Sequence, residues 1–163
     1  MTDDQRKKLI DWLSNAHAME LQIVEVLEHH EADAKDFPEV ATKIREHREA
    51  SRKHAEMVKS CLRSLDADPS SLKDINAQVG GNIAGVGSKI MNDTLIKNAI
   101  TDYTTEHMEI AVYKTIGAVA RSLGENTIVE SCENIIEDEE DMATWLEENI
   151  ESLAIIHFDM KTD

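Results

Sequence analysis

The sequence predicts an all-α protein that folds as a four-helix bundle, and three observations support this fold class. Only 4% of the 163 residues are aromatic, so the aromatic and β-branched clusters that mark strands are scarce. Good helix formers such as Ala, Leu, Glu, Lys and Met are abundant. Apolar residues, 41% of the chain, recur at spacings of three and four, which indicates amphipathic helices and argues against disorder.

Glycine and proline divide the chain into four segments, each long enough for a bundle helix. Pro38 stands at the start of the second segment, and Gly124 follows the third, as a helix stop would. The first and third connections are short, so the helices that flank each of them should form an antiparallel hairpin. The four predicted helices span about 4–33, 38–65, 88–122 and 126–153.

The middle connection, about 66–87, is much longer than the other two. About twenty residues can run the length of a bundle whose helices are about 40 Å long. This short–long–short pattern favours a single domain over residues 1–163, with one long crossover between helices 2 and 3. An up-down-up-down bundle would not need this linker.

The chain is strongly acidic, with a formal net charge of −16 at pH 7. Nucleic acids and anionic membrane surfaces both attract cationic proteins, so we expect neither as a partner. No apolar run approaches the roughly 18 residues of a membrane span. The first residues lack the apolar segment of a signal peptide, so we expect a cytoplasmic location.

The predicted core stripes carry polar residues about halfway along each helix. Glu20, Glu106 and Glu139 interrupt the apolar rows of helices 1, 3 and 4, and helix 2 carries His47 and His54. A lone buried carboxylate costs several kcal/mol, and neighbouring anions also repel one another. A bound cation removes both penalties, and carboxylates with imidazoles build di-iron and di-manganese sites in bundle cores.

Glu109 lies on the flank of the helix 3 stripe, three residues after Glu106, so the two could share one ion. Two alternatives stay open at this point. A glutamate can fall on a stripe by chance in so acidic a chain, and a histidine on an apolar face can be a hydrogen-bonded core residue. Within the acidic run at 137–141, only Glu139 is expected to point inward.

Four segments carry motifs of a known family. They read DWLSNAHAMELQ (11–22), FPEVATKIREH (37–47), TEHMEIAVYKT (105–115) and EDEEDMATWLEENI (137–150). The chain resembles the YciE/YciF stress-response family of the ferritin-like superfamily and is nearer to its YciE members. The most specific motif is E-x-x-E-I-A-x-Y, at Glu106, Glu109 and Tyr113. The resemblance implies a ferritin-like four-helix bundle, a homodimer and a dinuclear metal site.

The resemblance also assigns ligands. The family's metal-binding glutamates match Glu20, Glu106, Glu109 and Glu139, and His47 or His54 would supply nitrogen. Two positions depart from the pattern: Ala50 stands where the family tends to have glutamate, and Met142 stands where the superfamily often has histidine. These departures leave the second metal position with fewer of the ligands that the family pattern implies.

Two functions follow as hypotheses. In the first, the protein binds iron or manganese in the bundle core and reacts with dioxygen or peroxide during stress. In the second, the site is partly occupied or free of metal, and the protein is a dimeric scaffold whose acidic surface faces an unidentified cationic protein.

Overall fold

The chain folds into four long α-helices, which confirms the predicted all-α four-helix bundle. The computed structural model describes residues 1–67 and 93–160, and these residues contain no strand. None of the described helices is long and apolar enough to cross a membrane. The helices are α1 (Asp3–Asp33), α2 (Pro38–Ser64), α3 (Thr94–Leu123) and α4 (Asn126–Met160).

The helix ends follow local sequence signals. Thr2 caps α1, because its hydroxyl accepts a hydrogen bond from the backbone N–H of Gln5 while the Gln5 side chain accepts one from the Thr2 N–H. Pro38 occupies the first turn of α2, where its missing N–H costs nothing. Gly124 ends α3 in the left-handed region with φ of 78°, as predicted for a helix stop.

Helix α4 is longer than the sequence predicts. Helix α4 continues to Met160, seven residues beyond its predicted end, because the sequence from 154 to 160 contains no glycine or proline to stop it. The ring of His157, in this extension, lies 6.0 Å from the ring of Phe37, measured between centroids. The predicted crossover, apart from its first two residues, lies outside the described residues, as do residues 88–92 of the predicted third helix.

The helices pack as two hairpins, α1 with α2 and α3 with α4, with α1 against α3 and α2 against α4. At one end of the bundle, Arg6 donates a hydrogen bond to the carbonyl of Leu65, just after α2. At the opposite end, Asn98 of α3 donates to Asp33 of α1 at 2.9 Å. Helix α2 therefore ends and α3 begins at opposite ends of the bundle, which is the arrangement that the predicted long connection requires.

The buried faces match the predicted stripes closely. The rows of residues at spacings of three and four begin at Leu9, Val40, Ala99 and Ile128 in the four helices. These rows are buried throughout in α1 and α2 and are only partly buried at Tyr103 in α3 and Ile150 in α4. Cys61 and Cys132 are buried free thiols. The core is thus mainly apolar on both sides of a polar layer halfway along the helices, with Ser14 as a buried polar side chain on one side and Asn98 and Asp102 on the other.

We predict that Gly124→Ala lowers the free energy of unfolding by about 1 kcal/mol, because a side chain at positive φ is strained. Gly124→Asn is the matched control and should lose less, since asparagine adopts this conformation more readily. Urea unfolding measures both. An alanine variant as stable as the parent chain would contradict this role for the glycine.

Candidate metal centre

All six residues predicted to form the site lie in the polar layer of the core. Glu20 comes from α1, His47 and His54 from α2, Glu106 and Glu109 from α3, and Glu139 from α4. Glu20, Glu109 and Glu139 have no exposed surface, and His47, the most exposed of the six, has 5%. The apolar spacing of each helix directs its polar member inward at the same depth.

Glu139 lies between two histidines. Its Oε1 atom is 2.9 Å from His54 Nδ1, and its Oε2 atom is 3.3 Å from His47 Nε2. Glu20 Oε2 completes one group at 3.8 Å from His54 Nδ1. Glu106 Oε2 completes the other at 3.1 Å from His47 Nε2. We call these groups the His54 triad (Glu20, His54, Glu139) and the His47 triad (His47, Glu106, Glu139).

Ligand atoms in both triads face one another without aligned hydrogen bonds. Buried polar groups in proteins are nearly always hydrogen-bonded, so such a cluster calls for a physical explanation. A cation at the centre of each triad would satisfy these atoms, and carboxylate oxygen with imidazole nitrogen suits iron or manganese. The atoms are Glu20 Oε2, His47 Nε2, His54 Nδ1, Glu106 Oε2 and both side-chain oxygens of Glu139.

Glu109 belongs to neither triad within the described residues, although it is completely buried. Both of its carboxylate oxygens also lack aligned hydrogen bonds. Burial, together with the charges of Glu20 and Glu139, raises its pKa well above the usual range. Glu109 is therefore a fourth buried carboxylate of the layer, adjacent to the triads, and its raised pKa favours the protonated form when no metal is bound.

Burial and neighbouring charges shift the pKa values of the triad residues in different directions. Burial raises the pKa of Glu20 to about 8 and that of Glu106 well above the usual range. Burial opposes the charge on His54, but its contact with Glu139 and the charge of Glu20 raise the pKa of His54 to about 9. Burial also raises the pKa of Glu139, but its contacts with His54 and Glu106 and the charge of His47 more than reverse this effect and lower it. In the metal-free protein Glu139 is therefore an anion beside a cationic His54.

Two residues outside the triads hold ligands of the His54 triad in place. The buried hydroxyl of Tyr113 donates a hydrogen bond to Glu20 Oε1, which leaves Oε2 facing His54. Asp138 Oδ2 lies 3.0 Å from His54 Nε2, so the Nδ1 atom is the one that faces the triad. A carboxylate on the outer nitrogen of a ligating histidine fixes the orientation of the ring.

Sequence reasoning missed Asp138, because its side chain is 57% exposed within an acidic run and looked like part of a solvated face. Its position directly before Glu139 was the available signal. Reasoning from the stripes also missed a contact of 2.7 Å between His30 Nδ1 and Asp102 Oδ1, where Asp102 is buried one turn before Glu106. His30 lies off the stripe of α1, and its partner depends on how α1 packs against α3.

The two departures from the family pattern have different surroundings. Ala50 is half-buried, while Ser51, the next residue, is fully buried and donates to the carbonyl of His47. Met142 is buried one turn after Glu139 and packs with Ala99 and Leu146. The position that carries histidine in many relatives of this fold is therefore part of the apolar core here, and His47 supplies the second imidazole of the layer.

Comparison with known proteins agrees with this architecture. The family model described as "Domain of unknown function (DUF892)" matches residues 4–156. A solved structure from Xanthomonas campestris pv. campestris is 27% identical, with a TM-score of 0.81 over 98% of this chain and 99% of that chain. The E. coli stress protein YciF is 15% identical, with a TM-score of 0.72 over 91% of this chain and 96% of its own.

A third solved structure places the bundle among ferritin-like folds. The dodecameric thioferritin of Bacteroides fragilis, a bacterioferritin-related protein, is 18% identical, with a TM-score of 0.72. The match covers 94% of this chain and 90% of that chain. The ferritin-like fold implied by the sequence resemblance is thereby confirmed.

We predict that the metal-free protein loses stability as the pH rises from 6.5 to 8.5. Burial raises the pKa of Glu20 to about 8, so folded Glu20 keeps a proton that the unfolded chain has already released, and stability falls as the pH rises toward 8. The raised pKa values of Glu106 and Glu109 act in the same direction. The raised pKa of His54 acts in the same direction, because its contribution is complete below pH 6.5 and is lost as the pH rises through about 9. The lowered pKa of His47 and that of Glu139 affect stability below pH 6.5.

Urea unfolding of chelator-treated protein at several pH values measures this slope. Glu109→Gln is the control, since it removes one of the protonated acids and should make the slope shallower. Equal stability at pH 6.5 and pH 8.5 would contradict the assigned protonation states.

Proposed function

Because the chain belongs to the DUF892 family and has a ferritin-like fold, we propose that it binds two divalent cations, iron or manganese, in the polar layer of its core. The observation that carries the proposal is the position of Glu139, whose two oxygens face nitrogens of different histidines at 2.9 and 3.3 Å. A carboxylate in this position can bridge two cations. The resemblance to the YciE/YciF family, which implies a dinuclear site, agrees with it.

In this proposal the His54 triad would hold one cation and the His47 triad the other. Glu109 would supply an additional carboxylate to the layer, as the family pattern implies. Bound iron would supply Fe(II)/Fe(III) redox chemistry toward dioxygen or peroxide. This chain contributes buried donors, a water-poor surrounding core and fixed ligand orientations through Tyr113 and Asp138.

The residues also balance charge when the cations bind. In the metal-free protein the raised pKa values of Glu20, Glu106 and Glu109 favour their neutral forms, which reduces the number of adjacent buried anions. Binding a divalent cation would release these protons and leave carboxylates as ligands. The layer therefore exchanges protons for metal without leaving a large uncompensated charge in the core.

We further propose that the protein acts in the bacterial cytoplasm as a homodimer during stress. The sequence resemblance supports this setting, and one structural relative in E. coli is described as a stress protein. The alternative is a dimeric scaffold with little or no metal. The apolar environment of Met142 is the observation that favours it, because one customary ligand of such centres is absent.

We predict that Glu139→Gln weakens binding of both cations, because this side chain belongs to both triads. The affinity for Mn(II), measured by titration calorimetry, should fall at least about 100-fold, the upper range for loss of a residue that merely supports a ligand. Glu140→Gln is the matched control, since the neighbouring Glu140 is exposed and pairs with Lys114 at the surface.

The two functional hypotheses give different results in this titration. Two Mn(II) ions per chain that are lost in Glu139→Gln, but retained in Glu140→Gln, would support the metal-binding protein. A parent chain that binds no Mn(II) or Fe(II) would overturn that proposal and favour the scaffold. Circular dichroism should show the same helical content in both variants.

We also predict that Asp138→Ala lowers the affinity of the His54 triad for a cation about 10- to 100-fold, because His54 loses the carboxylate that orients it. Asp141→Ala removes an exposed acid from the same run and serves as the control. Mn(II) titration of both variants measures the effect. Equal affinities in the two variants would show that Asp138 does not position His54.

A further inference from the structure

Two buried polar side chains of α3, Asn98 and Asp102, stand apart from the other buried polar groups of the described chain. They belong neither to the triads nor to a side-chain hydrogen bond with their own helix. The remaining buried polar side chains outside the polar layer donate hydrogen bonds to carbonyls four residues earlier. These are Ser14, Ser51, Thr101 and Thr105.

Both side chains are held by residues near the end of α1. Asp102 Oδ1 lies 2.7 Å from His30 Nδ1, and Asn98 Nδ2 donates to Asp33 Oδ2 at 2.9 Å. The side chain of His30 is 11% exposed, so this polar group extends from the core to the surface. Apolar residues would fill the same space without the cost of burying polar atoms, so stability alone does not account for the arrangement.

A small cavity lies among these residues, between the four helices. It has a volume of about 10 Å³, close to the space that one buried water requires. All four helices line it, with His30, Asn98 and Asp102 as its polar lining and Ile44 and Leu146 among the apolar residues. Ile44 is one turn from His47, and Asp102 is one turn from Glu106, so the cavity adjoins the His47 triad.

The opposite side of the polar layer is different. In the described part of the chain the buried side chains there are apolar groups or thiols, such as Leu13, Val58, Cys61 and Ile135, apart from Ser14. The Ser14 hydroxyl donates a hydrogen bond to the carbonyl of Ile10 in its own helix. A cation that moved through these side chains would lose its water without gaining other oxygen ligands, which is costly. The polar group around Asp102 offers oxygen atoms in place of that water.

We propose that the His30–Asp102 end of the bundle is the passage through which divalent cations reach the His47 triad. The inference rests on the proposed metal binding. Asp102 attracts the cation toward the layer, and the side-chain oxygen of Asn98 replaces lost water as the ion moves inward. The cavity admits one water, so passage requires the side chains around it to move apart.

Asn98→Leu tests the passage, because it replaces a polar lining residue with an apolar one and leaves the charge unchanged. Stopped-flow absorbance with Co(II) would measure association, and a chelator chase would measure dissociation. Both rates should fall by the same factor, at least about tenfold, with the dissociation constant unchanged, because the barrier changes and the bound state does not. Thr101→Val is the matched control, since Thr101 is buried on the same helix but does not line the cavity.

Asp102→Asn is a second variant that keeps the size of the side chain. It should slow Co(II) association several-fold, and the difference from the parent chain should shrink at high salt. If Co(II) associates with and dissociates from Asn98→Leu at the rates of the parent chain, the passage is overturned while the metal centre stays intact. A changed dissociation constant at an unchanged association rate would have the same meaning. Absence of Co(II) binding in the parent chain would overturn the proposed function and the passage together.

Discussion

The structure depends on burying four glutamates in one layer of an apolar core. Their mutual repulsion and lost hydration would destabilise the bundle, so each must be protonated, paired with a histidine or bound to a cation. Glu139 is central to the layer, because its two carboxylate oxygens contact both histidines. Proton uptake by Glu20, Glu106 and Glu109 stabilises the layer when metal is absent. This exchange between protons and cations links the stability of the fold to the proposed activity.

The same constraint explains why the helices have a fixed register. If one helix shifted by a turn, Glu139 would lose a histidine partner and a buried anion would remain uncompensated. Hydrogen bonds from Arg6 to Leu65 and from Asn98 to Asp33 also connect the helices outside the layer, near the two ends of the bundle. Above and below the layer the core is mainly apolar, and it supplies the burial that supports the polar layer.

Sequence reasoning predicted the fold class and the inward-facing positions of Glu20, His47, His54, Glu106 and Glu139, because helical spacing fixes which face a residue occupies. Glu109, expected on the flank of its stripe, is completely buried. Sequence reasoning also predicted that Glu139 alone of its acidic run points inward, and the structure agrees. It could not predict that Asp138 reaches His54 from an exposed position, since that contact depends on the distance between α2 and α4. The contact between His30 and Asp102 was not predicted for the same reason. It joins α1 and α3, and the spacing of residues within one helix does not show which residues of another helix they contact.

The most direct test of the central claim is anomalous X-ray diffraction from crystals of the full chain soaked in Mn(II). We expect two anomalous peaks in the polar layer on either side of Glu139. One should lie beside Glu20 and His54, and the other beside His47 and Glu106. A layer without anomalous density at saturating Mn(II) would contradict the proposed binding of cations beside Glu139.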